Sequence, residues 1–251
     1  VLKKFIFLFF LSFCFLLSSQ IVNVEGLRKS TDSIRFVGKA GLDIELVKNV
    51  NKEFTISSDL TLQYSFKKNT FLFFNKVEFN KVNNIELSNE SVQHLRYNYR
   101  FRQKYVFESF IQFQRDLISF INYRALTGLG SRNKIFQSKK SSFYLGTLVM
   151  YELENSVGVN GDVIEKNIRG DFYFYFSLRP KNSITISSTT YYQPKIDAFR
   201  DYRISSETSL IVSIFKSLDL TTTFSYQFDT FPVLGIPKEQ YKLENGITFS
   251  F

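Results

Sequence analysis

The sequence predicts an all-β protein: an antiparallel transmembrane β-barrel of about 12 strands, preceded by a cleaved signal peptide. Three observations predict it. Apolar and polar residues alternate with a period of two along most of the chain, with no helical periodicity between the alternating segments. The chain holds 30 Phe, 14 Tyr and no Trp, an aromatic share of 18%, yet its mean hydropathy is −0.10. A barrel strand shows every second residue to lipid and its neighbours to a polar lumen, so many aromatics coexist with a hydrophilic average. Finally, Tyr241, Leu243, Ile247, Phe249 and Phe251 fall on one side of the last segment, and Lys242, Glu244, Thr248 and Ser250 on the other. Of these, Tyr241, Phe249 and Phe251 form the expected C-terminal signal for insertion by the barrel-assembly machinery.

Residues 1–19 read as the signal peptide. Lys3 and Lys4 precede an apolar run from Phe5 to Leu17, and Ser18, Ser19 and Gln20 follow it, which places cleavage near residues 18–20. The run is 13 residues long, whereas a spanning helix needs about 20. Cys14, the only cysteine, lies inside this run behind the bulky Phe13, so it reads as filler rather than a lipid acceptor. The mature chain then has no thiol for disulfides or Cys-based metal sites. Loss of Lys3 and Lys4 lowers the formal charge from +9 to +7 (9 − 2). No Lys/Arg block is long enough for a nucleic-acid site. Lys67-Lys68 and Lys139-Lys140 read as turn residues near an anionic membrane surface.

Residues 20–32 form a polar periplasmic leader, and the barrel occupies 33–251. Its strands are expected at 34–47, 53–67, 70–82, 90–102, 105–116, 120–135, 142–154, 167–179, 183–194, 202–215, 218–229 and 240–251. With both ends of the barrel in the periplasm, the even-numbered connections (68–69, 103–104, 136–141, 180–182 and 217) are the inner turns. The odd-numbered ones are outer loops: 83–89, 155–166, 195–201 and 230–239 are long, while 48–52 and 117–119 break the pattern by being short. Long loops on one side and tight turns on the other suit an outer-membrane barrel.

Facing follows from the alternation. Phe54, Ile56, Leu60, Leu62, Tyr64 and Phe66 oppose Glu53, Thr55, Ser57, Asp59, Thr61 and Gln63. Phe172, Phe174 and Phe176 oppose Asp171, Tyr173 and Tyr175, and Leu220, Phe224 and Tyr226 oppose Thr221, Thr223 and Ser225. A mid-depth Lys or Arg on lipid costs about 2–4 kcal/mol, so the polar sets face in. The lumen is therefore expected to carry His94, Arg96, Asn98, Arg100 and Arg102 from the fourth strand. Arg124, Arg132 and Lys134 follow from the sixth and Arg203 from the tenth, against Asp43, Glu45, Asp59, Glu78, Glu108, Glu152, Asp171 and Glu207. His94, Arg96, Arg100, Arg124, Arg203, Glu78, Glu108 and Glu207 are the candidate lumen polar cluster.

Such a lumen has two readings. An arginine ladder could attract anions through a narrow pore. Alternatively, Arg–carboxylate pairs fill the interior and staple the strands. Roughly balanced charge and the inward bulk of Phe74, Phe110, Tyr144, Tyr173 and Tyr175 favour a largely occluded lumen. A catalytic reading would be built on His94, the sole histidine, with Ser91 or Ser109 as nucleophile and Glu90 or Glu108 as acid. A lone histidine in an arginine cluster is more simply one more lumen residue, and no metal-ligand spacing accompanies it. Thr127-Gly128-Leu129-Gly130 marks close packing or a bend within a strand, not a phosphate loop. Gly235-Ile236-Pro237 reads as an ordered turn in the last outer loop.

The stretch Gln93-His94-Leu95-Arg96-Tyr97-Asn98-Tyr99 resembles the domain-of-unknown-function-481 family of bacterial outer-membrane β-barrel proteins, some labelled salt-stress-inducible. Four further stretches carry the resemblance. They are Arg124 with Thr127-Gly128-Leu129-Gly130; Thr190-Tyr191-Tyr192-Gln193-Pro194-Lys195; Asp201-Tyr202-Arg203-Ile204-Ser205-Ser206; and Gly235-Ile236-Pro237-Lys238. Gln20-Ile21-Val22-Asn23-Val24-Glu25 is similar to the mature start of Bacteroidetes-type members. The resemblance implies a barrel in the outer membrane of a Gram-negative cell and assigns no catalytic residue or cofactor. The expected partners are outer-membrane lipid and the assembly machinery, the expected state is a monomer, and the expected role is structural or tied to envelope stress. A passive channel for small, anionic solutes is the first alternative, and a lipid hydrolase using His94 is the second. The loop at 195–201, with Tyr191, Tyr192, Gln193 and Pro194 before it and Arg200, Asp201 and Arg203 beside it, has two readings: these residues only pin the loop, which is the simpler one, or the loop forms a polar cluster with the strand-4 arginines at the outer mouth.

Overall fold

The computed structural model describes residues 35–48, 52–82, 85–117, 119–158, 161–233 and 235–250. The expected signal peptide, the leader and Phe251 lie outside them. Twelve strands follow in chain order: β1 (Arg35–Lys48), β2 (Lys52–Phe66), β3 (Asn69–Val82), β4 (Ile85–Arg100), β5 (Tyr105–Asp116), β6 (Ile121–Gln137), β7 (Ser141–Gly158), β8 (Gly161–Lys181), β9 (Ile184–Pro194), β10 (Tyr202–Phe215), β11 (Leu218–Asp229) and β12 (Glu239–Ser250). Each pairs antiparallel with its sequence neighbours, and β12 returns to β1, closing the barrel. Closure removes the unpaired edges that an open sheet would present.

The period-two pattern is what builds the wall. On β5 the lumen side (Glu108, Phe110, Gln112, Gln114) is buried, while Phe107, Ile111 and Phe113 stand exposed on the outside. On β8 Asp171, Tyr173 and Tyr175 turn inward and Phe172 and Phe174 outward. Large apolar residues thus cover the exterior and polar ones the interior, the inverse of a water-soluble barrel. Rings on adjacent strands meet along the outer surface, as in Phe71–Tyr97 and Tyr192–Tyr202, with centroids 5.0 and 5.6 Å apart.

The two rims differ. Connections 67–68, 101–104, 138–140, 182–183 and 216–217 make one rim of tight turns, and 195–201 and 230–238 give the other its long loops. Two expected outer loops are strand instead. β4 begins at Ile85, and β7 and β8 keep register out to Gly158↔Gly161, so the segment expected as a loop at 155–166 is a tall hairpin. Gly161 to Lys166 are all exposed, which hid the hairpin from a reading based on burial: beyond the membrane a two-stranded ribbon needs backbone pairing but no apolar face. At the other rim β4 stops at Arg100. Phe101 and Arg102 belong to the turn, where Arg102 N and Tyr105 N each donate to the other residue's carbonyl at 3.3 Å, so Arg102 is exposed and not on the lumen wall. Gly235 has φ +92° and Ile236 N donates to Val233 O at 3.0 Å, the ordered turn expected there.

Glycines admit the largest inward rings. A Cβ on Gly128 would lie 2.5 Å from Phe110 Cε1, and one on Gly146 would collide with the Tyr173 ring. Phe110, Tyr144, Leu148, Met150, Tyr173 and Tyr191 share one buried cluster, which fills the β5–β9 half of the interior. Among the described residues the seam between β1 and β12 is paired from Lys39↔Ser250 to Leu42↔Ile247, four pairs, against eighteen between β7 and β8.

Candidate functional site

The lumen is divided into three levels between the loop rim and the turn rim. Nearest the loops, Glu152 is fully buried and accepts from three strands at once. Arg124 Nε lies 2.5 Å and Arg203 Nη1 2.5 Å from its Oε1, and Arg169 Nε lies 2.7 Å from Oε2. Arg203 also reaches Asp229 at 2.7 Å and Glu154 at 3.3 Å. Arg169 Nη2 lies 3.0 Å from an Asp201 oxygen, and Ile196 N donates to Ile168 O at 2.9 Å, so the loop at 195–201 is held from inside by β8. A second ionic group backs the short seam: Lys242 Nζ donates to Glu78 at 2.7 Å and Lys76 Nζ to Glu244 at 3.1 Å, joining β12 to β3 across β1 and β2.

At mid-height Arg96 Nη1 lies 3.6 Å from Glu108 Oε2, and Tyr173 Oη donates to the same oxygen at 2.6 Å. Arg96 Nε donates to His94 Nε2 at 3.3 Å, which assigns the proton to Nδ1, 2.8 Å from Gln112 Oε1. His94 also stacks on Phe110, with centroids 5.3 Å apart. Its acceptor nitrogen is thus already engaged. Ser91 and Ser109 occupy the opposite parity on β4 and β5 and face outward, so neither candidate nucleophile shares a side of the wall with His94. Among the described residues no three His, Cys, Asp or Glu side chains are grouped to hold a metal ion.

At the turn rim the interior opens into a cavity of about 510 Å³. Arg35, Lys67, Lys68, Lys104, Lys139, Lys140 and Arg179 ring its mouth, Arg100, Arg132 and Lys134 stand further in, and among the described residues no carboxylate lines it. Its inner end includes Asn98, Tyr144 and Tyr175, with the Arg132 guanidinium 3.5 Å from the Tyr144 ring centroid.

The eight expected cluster residues are therefore distributed. Arg96, His94 and Glu108 meet at mid-height, Arg124 and Arg203 at the loop level and Glu78 on the β3–β12 side; Arg100 lines the cavity. Glu207 faces in from β10 opposite Thr189 and Ser225. The strand-4 arginines do not meet the loop at 195–201, because β4 runs from the loop rim towards the turn rim and carries Arg96 and Arg100 away from it. Arg169, which has the parity of Asp171 two residues on, takes that place. Thr221 and Thr223, placed inward by the alternation, join Ser209 as partly accessible hydroxyls along the inner wall of β10 and β11.

This architecture has solved counterparts. The NanC porin has TM-score 0.53 and 10% identity, covering 85% of this chain and 98% of that one. An outer-membrane channel from Pseudomonas putida F1 has TM-score 0.53 and 9% identity, covering 92% and 100%. At such identities the likeness is one of fold alone. No curated protein matches the sequence. The barrel strands themselves carry the assignment: the family model described as "Protein of unknown function, DUF481" matches residues 44–251, and the chain belongs to that family.

Proposed function

We propose that this barrel resides in the outer membrane as a structural, envelope-stress-related protein whose lumen is closed to ions at rest. Its turn rim faces the periplasm, as short turns do in bacterial barrels, and its tall β7–β8 hairpin faces outward. Lipid is its surrounding partner and the assembly machinery its partner in biogenesis, and the working unit is one chain. The observation that carries the reading is the mid-lumen fill: Leu72, Phe110, Leu148, Met150 and Tyr173 are at most 6% exposed. Side chains packed to that degree leave no continuous water path on their half of the interior. Purified protein in planar bilayers is expected to give no steady current, and sustained conductance steps would overturn the reading.

A second reading, a narrow channel for small anionic solutes, is favoured by the hydroxyl-bearing wall of β10 and β11, where Ser209, Thr221 and Thr223 keep partial exposure on the lumen side. Under that reading current flows in the unmodified protein and changes its ion preference in Arg96→Ala.

A further inference from the structure

We propose that the cavity at the turn rim is a binding site for a small hydroxylated anion, a phosphate ester of a sugar or polyol. Three independent features converge on this chemistry. The first is charge. Among the described residues, lysines and arginines line the cavity without one carboxylate, whereas the other two levels of the lumen set cations against acids. Basic groups crowded into a concave, low-dielectric mouth raise the local concentration of anions and bind phosphate oxygens directly.

The second is Asn98. It is 1% exposed and lines the cavity, and neither its amide nitrogen nor its amide oxygen has a hydrogen-bond partner among the described residues. A buried amide left unsatisfied costs about 1–3 kcal/mol. Its cross-strand neighbour Glu108 offers no relief, since that carboxylate faces Arg96 and Tyr173 in the next level. The amide N–H suits an anionic oxygen. The amide C=O needs a donor, which the dianionic phosphate of an ester lacks and the hydroxyls of its sugar or polyol supply. The pairing therefore selects a ligand that carries both.

The third is shape. At about 510 Å³ the cavity lies in the range of pockets that enclose small organic ligands. Asn98, Tyr144 and Tyr175 lie at its inner end, so a ligand entering from the turn side meets the Asn98 amide. Tyr175 and the Tyr144–Arg132 pair give it a flat wall. The site stands whether or not the lumen conducts.

The same chemistry exists in a soluble sugar phosphate and in the glycerol phosphate headgroup of an anionic phospholipid. The test is titration calorimetry on the full-length barrel, first in neutral detergent with fructose 1,6-bisphosphate, fructose and inorganic phosphate. Saturable binding of the bisphosphate, at least tenfold tighter than inorganic phosphate and absent for fructose, is expected. Asn98→Ala should weaken it about tenfold, and Asn98→Asp, close to isosteric, should abolish it while the protein keeps its heat-modifiable migration on gels. Titration is then repeated in nanodiscs with and without phosphatidylglycerol. Competition by that lipid in the unmodified protein assigns the headgroup as the natural source, and unchanged binding assigns the soluble ester. No saturable binding, or equal affinity in Asn98→Ala and the unmodified protein, overturns the proposal, because rim charge alone would then account for any uptake.

Discussion

Arg203 Nη1 lies 2.5 Å from Glu152 Oε1, although one residue is on β10 and the other on β7, with β8 and β9 between them. The contact is a chord across the inside of the wall. Arg124 and Arg169 close on the same carboxylate, so a single acid organises four strands and, through Arg169 and Asp201, the loop above them. A buried acid with this many cationic partners is costly to remove, since the cations remain buried without it.

Glu152→Gln should accordingly destabilise the barrel by about 3–5 kcal/mol. Urea unfolding of the refolded protein in lipid vesicles measures this. Glu165→Gln, on the exposed part of the β8 hairpin, should stay within about 0.5 kcal/mol of the unmodified protein.

Gly146 leaves room for the Tyr173 ring, and that ring's hydroxyl reaches Glu108 at 2.6 Å. Gly146→Val should cost about 1–3 kcal/mol through overpacking. The same unfolding assay reads the loss. Tyr173→Phe in the Gly146 background should cost less, because the ring keeps its place and only the hydrogen bond goes.

Neighbouring positions on β11 should respond oppositely to charge. Phe224 is 46% exposed on the outer face, so Phe224→Arg should cost about 2–4 kcal/mol if it sits near the membrane midplane. Thr223 faces the lumen beside Ser209 and Glu244, and Thr223→Arg should be tolerated within about 1 kcal/mol. Equal penalties at the two sites would contradict the assigned facing.

Among the described residues the β1–β12 seam has four ladder pairs and is the least paired junction of the barrel. Amides of β12 from Lys242 to Asn245 should therefore retain their β11 bonds yet exchange with deuterium sooner than those of β7 and β8, which are paired on both sides. Lys242→Gln removes the tie to Glu78 that bridges this seam, and should speed exchange there while leaving β7 unchanged.

The strand set and its facing were legible because both follow from a period of two. Tyr173 and Phe174 could be placed on opposite sides with no knowledge of their neighbours. The protruding parts of β4, β7 and β8 were not legible, because a ribbon outside the membrane is held by backbone hydrogen bonds and its side chains carry no facing signal. Parity put Arg96, Arg124 and Arg203 in the lumen, yet parity alone gives no height. The reading in which Arg96 and Arg100 reach the loop at 195–201 fell on that missing coordinate, and the simpler one, a loop pinned in place, fits the Arg169–Asp201 contact.

By itself the sequence determined an antiparallel barrel of twelve strands with polar residues inside, since the side-chain alternation of an extended chain is a local property. Only the tertiary structure decided which lumen residues meet. Shear and strand direction set the height of each side chain, and through them gather Arg124, Arg169 and Arg203 on Glu152, stack His94 on Phe110 with Arg96 at its ring edge, and leave Asn98 facing a basic cavity.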